Sequence, residues 1–570
     1  MKTLKTIIFA FAALLATVAC TKEANPKESV PSVPGTIEVS VSALIGDLAP
    51  SEGTKATMSP VIRLNWADGD VVLAFDATQK IGELTVTPVE GGSIAKLSGT
   101  ISTPATGTTK ITLVYSNPAE IAPEINAGKI TFDLSTQGAE ANKLVVYSTL
   151  DYEEGLTSIT DKIVPFKFAT SLMRVTVTGM ADADIDHAIV SNVNTVCELT
   201  VSADAEPAVA GTTSGTIIRT TGFTRSNDGR AVFNVSVAAE EENTGRKLTI
   251  KQGTLIYGSD LMSTAIDAGT SIISVYALTE QTGSMGKING HDYVYVAGKK
   301  WATQNLTISR NTQTSGDALW KPNGSSTVNV PRTTTTGEKI VIGDYFQWGA
   351  YPGYCGDATA ADQGLLIYES FTNDGSSGSF SFKSDNKFNS KNTAPYGGSP
   401  YTRYNDRDKT YRSNLDISDD VARTLWGDTW RMPTSQEFIE LCAACFVEWD
   451  ATNKGLLFYA PKDAADKGLL KLSESSWKQI TETATSYETT AKTATVGTYT
   501  ATDALLFFPA AGGGFNGTLS SAGTYGYYWS GTLGSVNADG AYDLRFDGGS
   551  VDPQCSSVRY FGFSVRPLSD

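Results

Sequence analysis

Apolar residues recur at every second position along much of the first half of this chain: Ile37, Val39 and Val41; Met173, Val175 and Val177; Phe233, Val235 and Val237. A period of two places such side chains on one face of an extended strand and the polar residues between them on the other. Residues 247–251 and 271–278 continue the pattern, so the region from 36 to 280 is expected to be β-sandwich. The abundance of glycine, 53 residues, with only 19% charged residues fits turn-rich β structure. A chain of 570 residues with 41% hydrophobic content holds material for two to four cores, which predicts several domains.

The first residues have a different character. Lys2 and Lys5 precede an apolar run from Ile7 to Ala16, followed by Thr17-Val18-Ala19-Cys20. The run is short for a membrane span but suits the apolar segment of a secretory leader, and the small residue before Cys20 suits lipoprotein processing. Residues 1–19 are therefore read as a lipoprotein signal peptide and Cys20 as the lipidation site, with Thr17 standing where a leucine is usual. Residues 20–35, carrying Pro26, Pro31 and Pro34, read as the tether. Several acyl chains hold a protein on a bilayer where one does not. The expected location is the outer membrane, facing the cell surface, with membrane contact through the lipid only. The formal charge of −16 becomes −18 once Lys2 and Lys5 leave with the leader, a field that disfavours nucleic acid as a partner.

The last third contains a helix start written in local chemistry. In Trp426-Gly427-Asp428-Thr429-Trp430-Arg431-Met432-Pro433-Thr434, Pro433 disfavours helix for the residue before it. Thr434 and Glu437 form a capping-box pair, so a helix is predicted from Ser435. Phe438, Leu441, Cys442 and Cys445 then fall at i, i+3, i+4 and i+7, one stripe to be buried. On that stripe the Cys-x-x-Cys pair reads as core, and Trp426 and Trp430 read as packing residues.

These words, with Tyr528-Trp529-Ser530-Gly531, Gly562-Phe563-Ser564-Val565-Arg566-Pro567, the opening Trp301 to Leu306 and Pro509-Ala510-Ala511-Gly512, resemble the Fibrobacter succinogenes major paralogous domain, a family of C-type-lectin-like fold. The resemblance spans residues 285–570. Upstream, Thr54-Lys55-Ala56-Thr57 with Leu64-Asn65-Trp66-Ala67-Asp68-Gly69-Asp70, and Pro165-Phe166-Lys167-Phe168 through Val177, resemble the fimbrillin-like proteins of Bacteroidetes. Together the resemblances imply a mainly β protein: sandwiches at 36–160 and 161–280, then an α+β lectin-like module at 285–570. A stalk subunit of the fimbrillin-like kind polymerises by donating a strand to its neighbour. A module of this size after the second sandwich fits a tip or accessory adhesin better. The alternative is a structural role in fimbrial assembly or anchoring, with other fimbrial subunits as partners.

Chemistry is sparse. A nucleophile–histidine system has only His187, at an expected strand start, and His291, in an expected hairpin turn, so no catalytic residue is assigned. Formylglycine-generating oxidases share the lectin-like fold, but a buried Cys442 and Cys445 would not serve their chemistry. Asp406-Arg407-Asp408 and Asn373-Asp374-Gly375 lack the spacing of a calcium loop, and no metal or other cofactor is expected. Asp68-Gly69-Asp70 reads as a turn and Gly512-Gly513-Gly514 as a close-packed turn. With Cys20 lipidated, Cys197, Cys355, Cys442, Cys445 and Cys555 are an odd set whose pairing stays open, a Cys355–Cys555 bridge being one option. The candidate ligand-binding residues are Tyr525, Tyr527 and Trp529, alternate rings in a Gly-flanked aromatic run. Exposed aromatic faces serve sugars and protein interfaces alike, so the expected ligand is a glycan or a protein.

Overall fold

The computed structural model describes residues 35–306, except 47, 51–63, 90–91, 118–123, 139–142 and 227–228. It describes the segments 345–348, 365–371, 378–381, 403–405 and 410–412, and residues 414–570 except 416, 418–419, 474–475, 483–487, 490–497, 516–517, 522, 535–539 and 560. The leader, Cys20 and the tether, Thr54 to Thr57, Cys355, and the Asn373 and Asp406 motifs lie outside the described residues.

The protein is mainly β. The alternation at 37–41 belongs to the strand Thr36–Ile45, whose inward residues are nearly inaccessible. That strand pairs antiparallel with Ile94–Ser102 on one side and parallel with Ser158–Phe168 on the other. The parallel pairing closes the sheet on itself, so the first unit is a seven-stranded barrel where a sandwich was expected. Trp66 fills its interior, packed at 4.9 Å from Tyr115 and edge-on at 5.3 Å from Phe166. Asp68-Gly69 makes the turn the sequence announced: Gly69 takes a φ of 86°, and Asp70 accepts from the Ala67 amide at 2.8 Å and from the Tyr115 hydroxyl at 2.7 Å.

The second unit consists of two sheets. One runs through Ser171–Thr178 and Ala231–Val237; the other runs through His187–Thr200, Ala208–Arg219 and Lys247–Gln252. Met173, Val175 and Val177 meet Val190, Val193, Cys197, Leu248 and Ile250 in one core. The two units do not follow one another as simple tandem blocks divided at 160. Ser158–Phe168 completes the barrel, while Lys129–Asp133 and Thr136–Gln137, taken from within the first unit's sequence, pair with His187–Thr200 and Ala208–Arg219. Ala49–Pro50 likewise pairs with Thr270–Ala277. The shared core even includes Phe75, Val114 and Val145 from barrel strands.

Among the described residues, the C-terminal part combines several small sheets with two α-helices. Met285–Ile288 and His291–Val296 form a hairpin about Asn289 and Gly290, both at positive φ (49° and 84°), as a two-residue turn requires. The helix Ser435–Ala444 begins where predicted. Thr434 Oγ1 accepts from the Glu437 amide at 3.2 Å, and Glu437 Oε2 accepts from the Thr434 amide at 2.8 Å. Its stripe is sealed: Phe438, Leu441, Cys442 and Cys445 are all buried among Leu456, Phe458, Leu506 and Tyr528.

Candidate functional site

The strand Gly526–Leu533 carries the aromatic run and lies at the centre of the module. It pairs with Gly540–Phe546, which pairs in turn with Val551–Val558. Alternate side chains enter two different cores. Tyr528 points into the core holding the Ser435–Ala444 helix; its hydroxyl donates to Pro509 O at 2.7 Å and accepts from Asn305 Nδ2 at 3.2 Å. Tyr527 and Trp529 point the other way, against Phe563 at 4.8 Å and 4.4 Å between ring centres. The Trp529 indole donates to Phe346 O at 2.9 Å, and the Trp348 indole donates to Ser530 O at 2.8 Å. Gly526 is required by this packing, because a Cβ there would lie 2.1 Å from the Phe546 ring.

This corrects the expected site. Trp529 has no exposed surface and Tyr527 is buried, so neither offers a face to a ligand. The reason is that the strand is covered on both faces, the second by residues distant in sequence. Only Tyr525, just before the strand, is partly exposed. Its ring stacks on Tyr527 at 5.8 Å and 23°.

Sequence reasoning missed the residue beside it. Arg545 stands directly opposite Tyr527 across the hairpin, is exposed, and places its guanidinium 5.2 Å from the Tyr525 ring centre and 5.5 Å from that of Tyr527. Both distances are in the cation–π range. Phe515 meets Tyr527 edge-on at 5.4 Å and Phe561 at 4.8 Å, so half-buried rings continue the packing beyond Tyr527. The result is an aromatic ladder whose inner rungs are core and whose outer rungs, with one cation, reach the surface. The available signal was the two-residue spacing of Tyr525 and Tyr527, which puts both on one face of a hairpin with Arg545.

Behind Arg545 the same face goes inward. Asp543 is fully buried, and burial pushes its carboxyl well above the usual range. Cys555, opposite Asp543, is half-buried, and burial together with the Asp543 and Asp552 carboxylates pushes its thiol up to about 11. Such a thiol is poorly nucleophilic at neutral pH. Cys442 and Cys445 are likewise buried, Cys442 with its thiol pushed up to about 12 and Cys445 higher. These two positions therefore lack the exposed, acidic thiol that an oxidase reading of the fold would need.

The Trp-Gly-x-x-Trp-Arg word is a structural knot. Asp420 caps the helix Val421–Trp426, accepting from the amides of Ala422 and Met432, each at 2.9 Å; burial pushes its carboxyl up to about 6 against the pull of those donors. Trp430 is buried and donates to Ile288 O at 3.2 Å, while His291 stacks on Trp426 at 3.7 Å and 9°. Arg431 makes a two-pronged pair with Glu437, at 2.8 and 2.6 Å, and reaches Asp570 at 2.8 Å. Lys299 joins Asp570 from the other side at 2.5 Å. Arg566, fully buried, donates to Asn305 Oδ1, Ala302 O and Phe507 O at 2.8, 3.1 and 2.9 Å.

One further concavity, of about 720 Å³, opens in the second unit beside Glu240, Glu241, Glu242 and Asp267. Glu240 is already paired with the buried Arg246 at 3.0 Å, whose other donors meet carbonyls of Met262, Thr264 and Glu241. Among the described residues no group of His, Cys, Asp and Glu side chains is arranged to hold a metal ion.

No family model and no curated protein matches the chain. Solved structures do overlay on parts of it. A "putative cell adhesion protein" from Bacteroides uniformis is 14% identical, covers 43% of this chain and 96% of its own length, with a TM-score of 0.28. A "putative adhesin" from Bacteroides ovatus is 15% identical over 49% of this chain and 97% of its own, at 0.25. The fimbrial anchor protein Mfa2 from Porphyromonas gingivalis is 12% identical over 46% and 97%, at 0.26. These overlays are loose, and the architecture described above rests on the strand pairings themselves.

Proposed function

We propose that this chain is a bacterial surface protein that binds or adheres. In this reading a lipid on Cys20 holds it to the outer membrane, the fimbrillin-like β units raise it from the bilayer, and the lectin-like module at 285–570 carries recognition. The observation that carries the reading is how the strand Leu568–Ser569 is used. Leu568–Ser569 pairs with Lys299–Ala302, and Leu568 also bridges to Arg431. Asp570 is clamped by Arg431 and Lys299. A segment integrated in this way is unsuited to be handed to a neighbouring subunit, which favours a recognition role over that of a stalk unit. The leader with its Cys20 site supports export, and the partly exposed Tyr525–Arg545 patch supports a ligand role for the module.

One observation favours the structural reading as well. Ala208–Arg219 pairs with His187–Thr200 along its length, but with Thr136–Gln137 only at Ile218 and Arg219, so among the described residues its outer edge is otherwise unpaired. An unpaired edge accepts strands. The two readings separate in one experiment. Intact cells expressing the chain or its Cys20→Ala variant are treated with protease and tested for attachment to immobilised glycans and matrix proteins. Adhesion requires a protease-sensitive surface chain, loss of attachment on shaving, and release of the variant from the membrane fraction. Co-purification with filaments and no change in attachment would replace it with the assembly role.

A further inference from the structure

We propose that the outer end of the aromatic ladder is a metal-independent binding site for a sugar bearing a single carboxylate. Tyr525, stacked on Tyr527, supplies the ring surface, and Arg545 receives the carboxylate. This inference rests on the recognition role proposed above and names its ligand class.

Three observations converge. First, Arg545 is exposed, and among the described residues no carboxylate lies within ion-pair distance of it. Its cross-strand neighbour Asp552 instead accepts from the Gln554 amide at 3.0 Å. The side-chain hydrogen-bond partner of Arg545 is the Cys555 thiol, a weak acceptor, and a planar guanidinium paired with no carboxylate matches one in two-pronged geometry. Second, the guanidinium is already placed: it sits over Tyr525 and Tyr527, and Tyr527 is anchored on Phe563, which lowers the ordering cost when a ligand arrives. Third, the partly exposed Tyr525 ring beside it offers an apolar face next to a charge, a combination complementary to a pyranose ring with a carboxylate on its edge. The overall charge selects among anions. A chain at −16, with Asp552 across the strand from Arg545, repels polyanions more strongly than a ligand that brings one carboxylate to the local cation. Metal bridging is not needed, because the cation is part of the protein.

The test titrates the full chain with sialyllactose and a glucuronic-acid-capped xylo-oligosaccharide, each beside its neutral counterpart, lactose and the uncapped oligosaccharide, in EDTA. We expect at least one acidic member to bind about tenfold or more tighter than its neutral partner, the scale of a charge-assisted hydrogen bond. Arg545→Ala should erase the difference, Arg545→Lys should keep part of it, and Tyr525→Ala should weaken both members of the pair. These side chains are exposed or half-exposed, so unchanged circular dichroism and melting in each variant establish that the fold is intact. Equal binding of acid and neutral forms, a preference that survives Arg545→Ala, binding to heparin alone, or no binding of either acid overturns the proposal. If any of those results is accompanied by intact attachment of expressing cells, the adhesion reading stands and only this site falls; loss of both removes the adhesion reading too.

Discussion

Replacing Arg566 by lysine keeps the charge and most of the aliphatic stem but removes the fork. The native guanidinium joins three separated segments: Ala302 O and Asn305 Oδ1 from one, Phe507 O from a second, and its own strand end. It also lies 4.3 Å from the Phe508 ring centre. Burial pulls its pKa down to about 10, so it remains charged at neutral pH. One ammonium cannot satisfy three acceptors spread around a planar group. With two buried acceptors left short at about 1–2 kcal/mol each, the expected loss is about 2–4 kcal/mol. Calorimetry of the full chain is the assay, because separate cores are expected to melt separately. For a unit of this size the loss corresponds to a shift of about 3–7 °C in the transition of the C-terminal module, while the transition of the two N-terminal units stays in place. A shift below about 2 °C, or equal shifts in all transitions, would refute the idea that this arginine is a local three-way tie.

Three other outcomes are expected. Asp543 holds its proton far above the value of 3.8 usual for its type, so the folded state binds the proton more tightly than the unfolded chain. Stability should therefore decline as pH rises from about 4, and Asp543→Asn should raise the melting temperature at pH 7 and flatten that decline, as thermal scans across pH would read. Glu437 is the opposite case. Burial raises its carboxyl, but Arg431 and the Thr434 amide outweigh that and hold it below 4.5. Its contribution is present at neutral pH and lost as pH falls through the folded pKa, so Glu437→Gln should cost about 1–3 kcal/mol at pH 7 and progressively less toward pH 3. Finally, thiol labelling of the native chain should leave Cys197, Cys442 and Cys445 unmodified until denaturant is added, with Cys555 slow but the first of these four to react; labelling of Cys442 without unfolding would contradict the buried stripe.

The helix at Ser435 was legible because its determinants are local: a capping box and a stripe spaced at three and four residues. The strands at 37–41, 173–177 and 233–237 were legible for the same reason. What the sequence did not reveal was partnership at a distance. No local rule says that Lys129–Asp133 leaves the first unit to pair with His187–Thr200, or that a parallel strand at Ser158–Phe168 closes the barrel. The same blindness affected the candidate site. Tyr527 and Trp529 look alike to Tyr525 in sequence, and only the arrival of Phe346 and Phe563 separates covered rings from an open one. Arg545 was overlooked because its relevance comes from lying opposite Tyr527 in a hairpin register.

The strand exchange between the first two units has a mechanical consequence. If the chain is held near residue 36 and pulled through its C-terminal module, the load enters along Thr36–Ile45, which is flanked by Ser158–Phe168 on one side and Ile94–Ser102 on the other. Hydrogen bonds on both flanks would then be loaded in shear, all together, and cannot peel one at a time. Ala49–Pro50 and Lys129–Asp133, stitched into the second unit, spread that tension so that the two units would have to give way as one body. A tether built this way transmits force to whatever its far end holds before it lengthens.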